Sequence, residues 1–380
     1  MSNDITGRKR LLFSLIATGG AFTFALVLTE VILRLFFPLE YIEPPLWMPD
    51  GHIKGRLAPN QVFTTGKGHS PFLPIRRGGE KGNINIYGFR GPDHARQKAP
   101  GSIRLAFFGG SSTFDFHSAE ADTWPSRVGV CLERAFNRKF ETVNLAQSGF
   151  DTSISKINYL VNGRFFSPDA IIVYHTWNDM KHFRTIEYNP VKLLFAKVAE
   201  PVTFNRQIKN WISISYIARH VKRIYMHFYE VQLENSDVDT LANLSVSTPI
   251  SPAAYNWFEM NFRDIVRFAQ SDGVLPILVS QATLADPVND RREMLKHIAY
   301  RYLGMSPSVA NEGFDAATGI IERVSRELGA VYVDGHHQIP PTLEYLEDAV
   351  HLTPKGNEAL ANIICENLQK SEPFIQLLNR

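Results

Sequence analysis

The sequence predicts a three-layer α/β/α sandwich on a flavodoxin-like parallel sheet of five strands, preceded by one transmembrane helix. Between residues 101 and 372, short apolar runs alternate with amphipathic helical stretches. Such alternation is typical of a parallel sheet wrapped by helices on both faces. A long stretch without charge also lies within the first 40 residues, directly after a basic cluster. This second observation predicts the membrane segment.

The composition is that of an ordinary globular protein. The 380 residues include 40 Lys and Arg against 38 Asp and Glu, and 44% are hydrophobic. The resulting net charge of +2 gives no basic surface for nucleic acid, so we expect no nucleic-acid partner. With 2 cysteines, the chain is neither a scaffold held by several disulfides nor a cysteine-rich zinc module.

The first element is the candidate transmembrane helix. Leu11–Thr29 carries no charge and would span about 28 Å as a helix, close to the thickness of a bilayer core. The basic cluster Arg8–Arg10 predicts that residues 1–10 are cytoplasmic and that the rest of the chain lies outside, in the periplasm of a Gram-negative cell. We expect a retained signal-anchor over residues 11–37. A cleaved signal peptide and a buried helix are the alternatives, less favoured because the apolar core is long and no small-residue cleavage site follows it.

The remaining chain divides into a stalk and a domain. Residues 38–100 are rich in Pro and Gly, which predicts an extended stalk that then packs along the domain surface. The α/β domain is expected over residues 101–372. Its predicted strands are Ile103–Phe108, Thr142–Ala146, Ala170–Tyr174, Val274–Ser280 and Ala330–Asp334. Its predicted helices are Pro125–Phe140, Ser153–Phe166, Ala253–Ser271, Ala316–Leu328 and Pro354–Gln369.

An insertion over residues 180–250 separates the third and fourth predicted strands. Apolar residues recur in it at helical spacing, namely Trp211, Ile214, Ile217, Val221, Ile224 and Phe228, with Arg219, Lys222 and Arg223 between them. We expect a helix that caps the ligand-binding edge of the sheet. The alternative is a helix that lies against the membrane surface.

Polar residues follow four of the predicted strands, at the carboxyl ends where open parallel sheets bind ligands. They are Gly109–Thr113, Gln147–Gly149, His175–Asp179 and Asp348–His351. Together they offer the parts of a nucleophilic site. Ser111 would be the nucleophile, His351 the base that takes its proton, and Asp348 the carboxylate that fixes the imidazole. The backbone N–H groups of Ser111 and Gly149 and the side-chain amide of Asn178 are candidates for an oxyanion hole.

Other interpretations of these residues are weaker. Ser112 is the alternative nucleophile, and His175 is expected to be a hydrogen-bonded wall residue near the pocket rim. Asp334, His336, His337 and His175 have no regular ligand spacing, so we expect no metal and no cofactor. Cys131 and Cys365 lie among apolar residues of predicted helices and are interpreted as buried thiols, with a disulfide as the alternative.

These residues resemble the blocks of the SGNH hydrolases, also called the GDSL esterase/lipase superfamily, over residues 83–370. Gly109-Gly110-Ser111 resembles the first block, with Gly110 where the family has Asp. Gly149 falls in the second block. Asn178 falls in the third block, where Thr176 replaces a Gly, and Asp348 with His351 matches the fifth. The stretch NIYGFRGPD and the N-terminal anchor resemble the membrane-anchored bacterial branch.

The resemblance implies a serine-dependent ester hydrolase that acts outside the cytoplasmic membrane. Its substrate would be an acyl or O-acetyl ester of a small molecule, lipid or glycan. Two alternatives use the same fold. One is an O-acyltransferase that passes the acyl group to an envelope polysaccharide, and the other is a non-catalytic module that binds a glycan or lipid.

Overall fold

The structure is a computed structural model that describes residues 2–36, 47–48, 56–57, 59–64, 81–183, 215–218, 220–221, 224, 250–289, 294, 297–298 and 303–380. These residues fall into two compact units. The anchor unit comprises Met1–Tyr41 and Val202–Leu233, and the α/β unit comprises Ile42–Pro201 and Glu234–Arg380. Much of the predicted stalk and most of the 180–250 insertion lie outside the described residues.

The anchor unit contains one long helix, α1, over Ser2–Phe36. Its segment Phe13–Phe36 has a mean hydropathy of 1.9 and, among the residues that the structure describes, no buried side chain, so it is a candidate membrane span. The helix begins before the predicted start at residue 11, and its end is close to the predicted end at residue 37. The same unit contains helical residues at 216–218, 220, 221 and 224.

The α/β unit is built on a parallel sheet of five strands in the order β6-β5-β7-β8-β9, as the sequence predicts. The strands are β5 (Ile103–Gly109), β6 (Phe140–Asn144), β7 (Ala170–Tyr174), β8 (Leu275–Val279) and β9 (Val331–Val333). The β5 and β7 side chains are wholly buried, which explains their continuous apolar runs.

Helices cover the sheet in two packed groups. In chain order they are α2 (Ser111–Phe114), α3 (Trp124–Phe136), α4 (Thr152–Val161), α5 (Trp177–Met180), α6 (Pro252–Ser271), α7 (Pro307–Leu328), α8 (Gly335–Gln338), α9 (Pro354–Lys370) and α10 (Glu372–Leu378). Helix α3 packs on α9, while α6 packs on both α4 and α7. The three-layer α/β/α prediction is therefore confirmed.

Two element boundaries differ from the prediction for local reasons. Helix α3 ends at Phe136 because Asn137 adopts a left-handed conformation, with φ 49°, and β6 therefore starts at Phe140. Helix α7 starts nine residues before the predicted Ala316, because Ser306 accepts a hydrogen bond from the Val309 N–H and Pro307 occupies the first turn. The sequence-based boundaries followed the apolar periodicity and did not take account of Asn137 or of Ser306–Pro307.

Short antiparallel strands precede the sheet where the sequence predicts only a stalk. They are β1 (Trp47–Met48) paired with β2 (Arg56–Leu57), and β3 (Gln61–Thr64) paired with β4 (Lys81–Ile84). Arg90 bridges both Ile84 and Asn144, so this segment continues the sheet beyond β6. Residues 81–90 thus lie along the sheet of the α/β unit.

Cys131 and Cys365 form a disulfide, with an S–S distance of 2.08 Å. The interpretation of these residues as separate buried thiols is wrong. Cys131 lies on α3 and Cys365 on α9, and these two helices pack against each other. The packing brings together two sulfur atoms that are 234 residues apart in the chain, which no local pattern could show.

Candidate active site

The carboxyl end of β5 turns sharply into α2 at Gly109 and Gly110. A Cβ atom at Gly109 would lie 2.0 Å from Thr113 Oγ1 and 3.0 Å from the Tyr174 carbonyl oxygen. Only glycine fits this turn, because both neighbours are fixed by the sheet and the helix. Ser111 follows as the first residue of α2 and is partly exposed. The turn therefore presents the Ser111 hydroxyl at the edge of the sheet.

Ser111, His351 and Asp348 form a continuous chain of contacts across this edge. Ser111 Oγ lies 2.8 Å from His351 Nε2, and His351 Nδ1 lies 2.8 Å from each carboxylate oxygen of Asp348. Asp348 also accepts hydrogen bonds from the backbone N–H groups of Val350 and His351. The geometry lets an imidazole take the serine proton while a carboxylate holds its other nitrogen.

Asp348 and His351 each shift the pKa of the other toward its charged form. Burial by itself raises the pKa of Asp348, but the charge of His351 and the hydrogen bonds to the carboxylate outweigh it and lower that pKa to about 2. Burial by itself lowers the pKa of His351, whereas Asp348, with Glu347 and Asp115 farther off, raises it above its ordinary value. An ionised Asp348 therefore makes His351 a stronger base than a free imidazole.

Ser112 has a different role from its neighbour. Its side chain is buried, and its hydroxyl accepts a hydrogen bond of 3.1 Å from Gln281 Nε2. Gln281 Oε1 in turn accepts from the Trp177 N–H at 2.7 Å. Gln281 thus ties the loop after β8 to the loops after β5 and β7. The sequence analysis missed it, since a single glutamine beyond a strand carries no distinctive signal.

Asn178 lies against the backbone that leads into Ser111. Its Nδ2 donates a hydrogen bond of 2.8 Å to the Phe150 carbonyl oxygen. The same nitrogen would be 2.4 Å from a Cβ atom at Gly110, so any side chain at position 110 would displace it. Gly149, next to Phe150, has φ +79°, a conformation that favours glycine. Asn178 therefore contacts the residues adjacent in sequence to the other two candidate oxyanion donors, Gly110 beside Ser111 and Phe150 beside Gly149.

Hydrogen bonds between Asp179 and Thr152 hold the segment that carries Asn178. The buried carboxylate of Asp179 accepts hydrogen bonds from both the backbone N–H and the hydroxyl of Thr152. Thr176 has φ −169°, an extended value that any residue adopts, so the loop does not require glycine there. Thr176, at the position where SGNH hydrolases have Gly, is thus compatible with the position of Asn178.

His175 does not lie at a pocket rim. It is 2% exposed, and its Nε2 lies 2.7 Å from Ser155 Oγ. Burial lowers its pKa to about 4, so the ring is neutral near pH 7. His175 is a hydrogen-bonded residue of the interior.

A second histidine and two further carboxylates, none of them found from the sequence, surround the triad. The His117 ring centroid lies 5.4 Å from that of His351, and His117 Nδ1 lies 3.5 Å from a Glu347 carboxylate oxygen. The buried Asp115 accepts from the His117 N–H at 3.0 Å and from Asn357 Nδ2 at 2.7 Å. Glu347 adjoins Asp348 in sequence, but nothing local indicates that His117 reaches His351.

Arg90 of the NIYGFRGPD stretch holds the loop that carries His117. Its buried guanidinium donates to the carbonyl oxygens of Phe114 and Ser118 at 2.8 and 2.6 Å, and to Glu120 at 2.9 Å. Charge-assisted bonds of this kind are short and strong. The stretch therefore positions one wall of the site rather than contacting the triad directly.

Three of the four residues weighed as metal ligands from the sequence lie directly after β9, namely Asp334, His336 and His337. His337 Nδ1 contacts the Asp334 carboxylate at 3.0 Å, and His336 Nε2 lies 3.2 Å from Asp315 Oδ1. One donor atom each from Asp315, His336 and His337 lies within 4.8 Å of the others. Asp315 and His337 are largely exposed.

A large surface cleft lies at the opposite edge of the sheet. Its volume is about 870 Å³, and Ser102, Asp169 and Val274 at the amino ends of β5, β7 and β8 line it. Parallel sheets bind substrates at the carboxyl ends of their strands, so we assign the chemistry to the Ser111 edge despite the size of this cleft.

Comparisons with known proteins give matches among solved structures only. No protein-family model matches the chain, and no curated protein matches it. It is similar to Axe2, an acetylxylan esterase from Geobacillus stearothermophilus, with a TM-score of 0.42 and 12% identity over 70% of this chain and 93% of that one. It is also similar to a GDSL-like lipase from Bacteroides thetaiotaomicron VPI-5482, with a TM-score of 0.39 and 14% identity over 70% of this chain and 88% of that one.

A putative acylhydrolase from Bacteroides fragilis NCTC 9343 matches with a TM-score of 0.38 and 11% identity, over 72% of this chain and 88% of that one. With TM-scores this low, the similarity by itself carries no conclusion about activity. Conclusions about chemistry therefore come from the residues of this chain.

Proposed function

We propose that the chain is a serine-dependent carboxylic ester hydrolase of the SGNH type, tethered to the cytoplasmic membrane. The observation that carries the proposal is the unbroken Ser111–His351–Asp348 chain of contacts of 2.8 Å at the carboxyl edge of the sheet. Its substrate is an acyl or O-acetyl ester of a small molecule, lipid or glycan.

In the first half-reaction, Ser111 Oγ attacks the ester carbonyl carbon while His351 Nε2 takes the hydroxyl proton. Asp348 stabilises the imidazolium that forms. The carbonyl oxygen becomes an oxyanion, for which the N–H groups of Ser111 and Gly149 and the amide of Asn178 are the proposed donors. Collapse of the tetrahedral intermediate breaks the bond to the alcohol, which leaves with the proton from His351.

In the second half-reaction, water attacks the acyl-serine with His351 again as base. The second tetrahedral intermediate collapses, the proton passes from His351 to Ser111 Oγ, and the acid is released. The chain's own residues supply every proton transfer in this scheme.

The first test is ester turnover by the full chain in mild detergent. Wild type and Ser111→Ala are assayed on p-nitrophenyl esters of increasing acyl length. We expect turnover by wild type, strongest for one range of acyl lengths, and none above background for Ser111→Ala. Equal rates for the two proteins on every ester would refute the proposal.

The proposed location has two supports. Phe13–Phe36 is apolar and long enough to span a bilayer, and the basic cluster before it favours a cytoplasmic N-terminus. The Cys131–Cys365 disulfide suits an oxidising compartment outside the cytoplasm. A C-terminal alkaline phosphatase fusion should be active and a C-terminal green fluorescent protein fusion dark. The reverse pattern would place the α/β unit in the cytoplasm.

A further inference from the structure

Glu30 is a carboxylate within the apolar segment of α1. Charged side chains in a membrane segment are costly and are paired where they occur. Arg34, one turn further along, contacts Glu30 Oε1 at 2.9 Å. The Glu30 carboxylate can accept more hydrogen bonds than those from Arg34. The other hydrogen bonds that it accepts come from a second segment of the anchor unit.

The partner of Glu30 is the beginning of a second helical segment of the anchor unit, which the structure describes at Ser215, just before it, and at residues 216–218, 220, 221 and 224; we call it the 215–224 helix. Glu30 accepts hydrogen bonds from the N–H groups of Tyr216 and Ile217 at 2.8 and 3.1 Å, and from Ser215 Oγ at 3.0 Å. Ser215 Oγ accepts from the Ala218 N–H at 3.3 Å.

The first three N–H groups of the 215–224 helix are thus satisfied by two side chains, one of them from α1. A carboxylate at a helix N-terminus is also favoured by the helix dipole. The Arg34 guanidinium lies 4.9 Å from the centre of the Tyr216 ring and adds a second contact. These contacts make a specific joint between the two helices.

The joint lies near one boundary of the candidate span. From Phe13 to Glu30 the helix rises about 26 Å, against about 30 Å for the hydrocarbon core of a bilayer. When α1 spans a membrane, the 215–224 helix therefore begins close to the membrane–water interface at the C-terminal end of the span.

The 215–224 helix exposes apolar side chains there. Ile217, Val221 and Ile224 share one helix face by their spacing, and Val221 and Ile224 are 60% and 58% exposed. In the sequence, Arg219, Lys222 and Arg223 stand between them. An apolar face interleaved with cations fits the boundary between acyl chains and anionic headgroups.

We propose that the 215–224 helix lies in the membrane interface, with the Ile217, Val221 and Ile224 face in contact with lipid and Glu30 as its docking point. This goes beyond the proposed ester hydrolysis and rests only on the proposed membrane span. Of the two interpretations that the sequence leaves open for this segment, it adopts contact with the membrane surface instead of a cap over the active site.

The test uses a single fluorescent label in the full chain. Because the two native cysteines are bonded to each other, an introduced cysteine is the only free thiol. Ile224→Cys is labelled with an environment-sensitive NBD group and reconstituted into vesicles that contain anionic lipid. Leu28→Cys, labelled in the same way, reports on the span itself. Quenching is measured with lipids brominated along the acyl chain and with aqueous iodide.

We expect brominated lipids to quench both labels and iodide to quench neither strongly. Adding Glu30→Ala should abolish lipid quenching at position 224 and leave it at position 28. Quenching at 224 by iodide alone, or by neither agent, would overturn the proposal, the latter by showing that protein covers this face. Loss of lipid quenching at position 28 would instead overturn the membrane span, without bearing on esterase activity.

Discussion

Two histidines of the α/β unit, the buried His175 and the partly exposed His351, differ in what they contact. His175 follows β7 and lies beside a serine hydroxyl, at 2.7 Å. His351 lies in the loop between α8 and α9, between a carboxylate and a serine hydroxyl, each at 2.8 Å. Burial lowers the pKa of His175 to about 4, whereas Asp348 raises that of His351 above its ordinary value despite burial.

The contrast shows that burial by itself makes a histidine a poor base. One paired carboxylate reverses the effect, because it stabilises the imidazolium more than desolvation penalises it. Contact with a serine hydroxyl is common to both residues and therefore does not distinguish a candidate base from a residue of the interior. The contact with Asp348 does.

The largest expected effect is on kcat, which should depend on His351 and hardly on His175. Ser111→Ala and His351→Ala should each lower kcat by roughly 10⁶-fold, and the double variant by little more, because the triad acts as a unit. His175→Gln should retain most of the activity. The measurement is kcat for p-nitrophenyl ester hydrolysis.

Ser112→Ala is the matched control for the nucleophile, since it also removes a hydroxyl from α2. It should keep most of the activity, although it loses the bond from Gln281. An inactive Ser112→Ala with an active Ser111→Ala would reverse our assignment of the nucleophile.

Asp348→Asn gives His351 an environment like that of His175. Loss of the carboxylate should lower the pKa of His351 and leave its tautomer unfixed, and kcat should fall by roughly 10⁴-fold. In the wild type, kcat/KM should decline as pH falls through the raised pKa of His351. The decline should shift to lower pH in Asp348→Asn. An unchanged pH profile would mean that another group titrates.

Asn178→Ala tests the oxyanion hole, which completes the His351 site and has no counterpart at His175. We expect kcat to fall roughly 10²–10³-fold with little change in KM, because the amide acts on charge that develops in the transition state. Gly110→Ala should cause a similar loss, since its Cβ would displace the Asn178 amide, and the double variant should lose little more. Asp179→Asn should act mainly on stability. An increased KM with unchanged kcat in Asn178→Ala would mean ground-state binding.

The smallest expected effect is on the pH dependence of the free energy of unfolding. The two histidines should change this dependence in opposite directions, because their pKa shifts are opposite. The lowered pKa of His175 gives a stabilisation that is present above pH 6.5 and is lost as pH falls toward 4, by up to about 3 kcal/mol. The raised pKa of His351 gives one that is present below 6.5 and is lost as pH rises through its folded value. Urea unfolding of His175→Gln between pH 4 and 7 should show a weaker acid destabilisation than wild type. Identical slopes would contradict the buried neutral state.

The sequence predicted the sheet because each strand is a short apolar run between turn residues, and Ala170–Tyr174 coincides with β7. The β3–β4 pair was missed since its residues are mixed in polarity and lie in a Pro- and Gly-rich region. The start of α7 was missed because the Ser306–Pro307 signal precedes a weakly apolar turn. Local patterns thus identified the buried elements and failed at the edges.

For the candidate site, the sequence predicted the residues that belong to a motif. Ser111, Asn178 and Asp348 with His351 each stand in a recognisable block. His117, Arg90 and Gln281 reach the site through tertiary contacts over 24 residues or more, as Arg90 does with Phe114, and no local pattern records such contacts. The sequence favoured separate thiols over the Cys131–Cys365 disulfide for the same reason.

The Cys131–Cys365 bond has a consequence for the order in which the protein can become active. Ser111 and His351 are 240 residues apart, and the bonded cysteines, 234 apart, lie just beyond each of them in the chain. The site is therefore assembled from the first and last parts of the sheet domain, and no folding intermediate that lacks the docked C-terminal helix can hold it. For the proposed location outside the cytoplasm, the site would form only after the segment that carries His351 has crossed the membrane and docked. Oxidation of the two cysteines would then hold the two parts of the site together covalently.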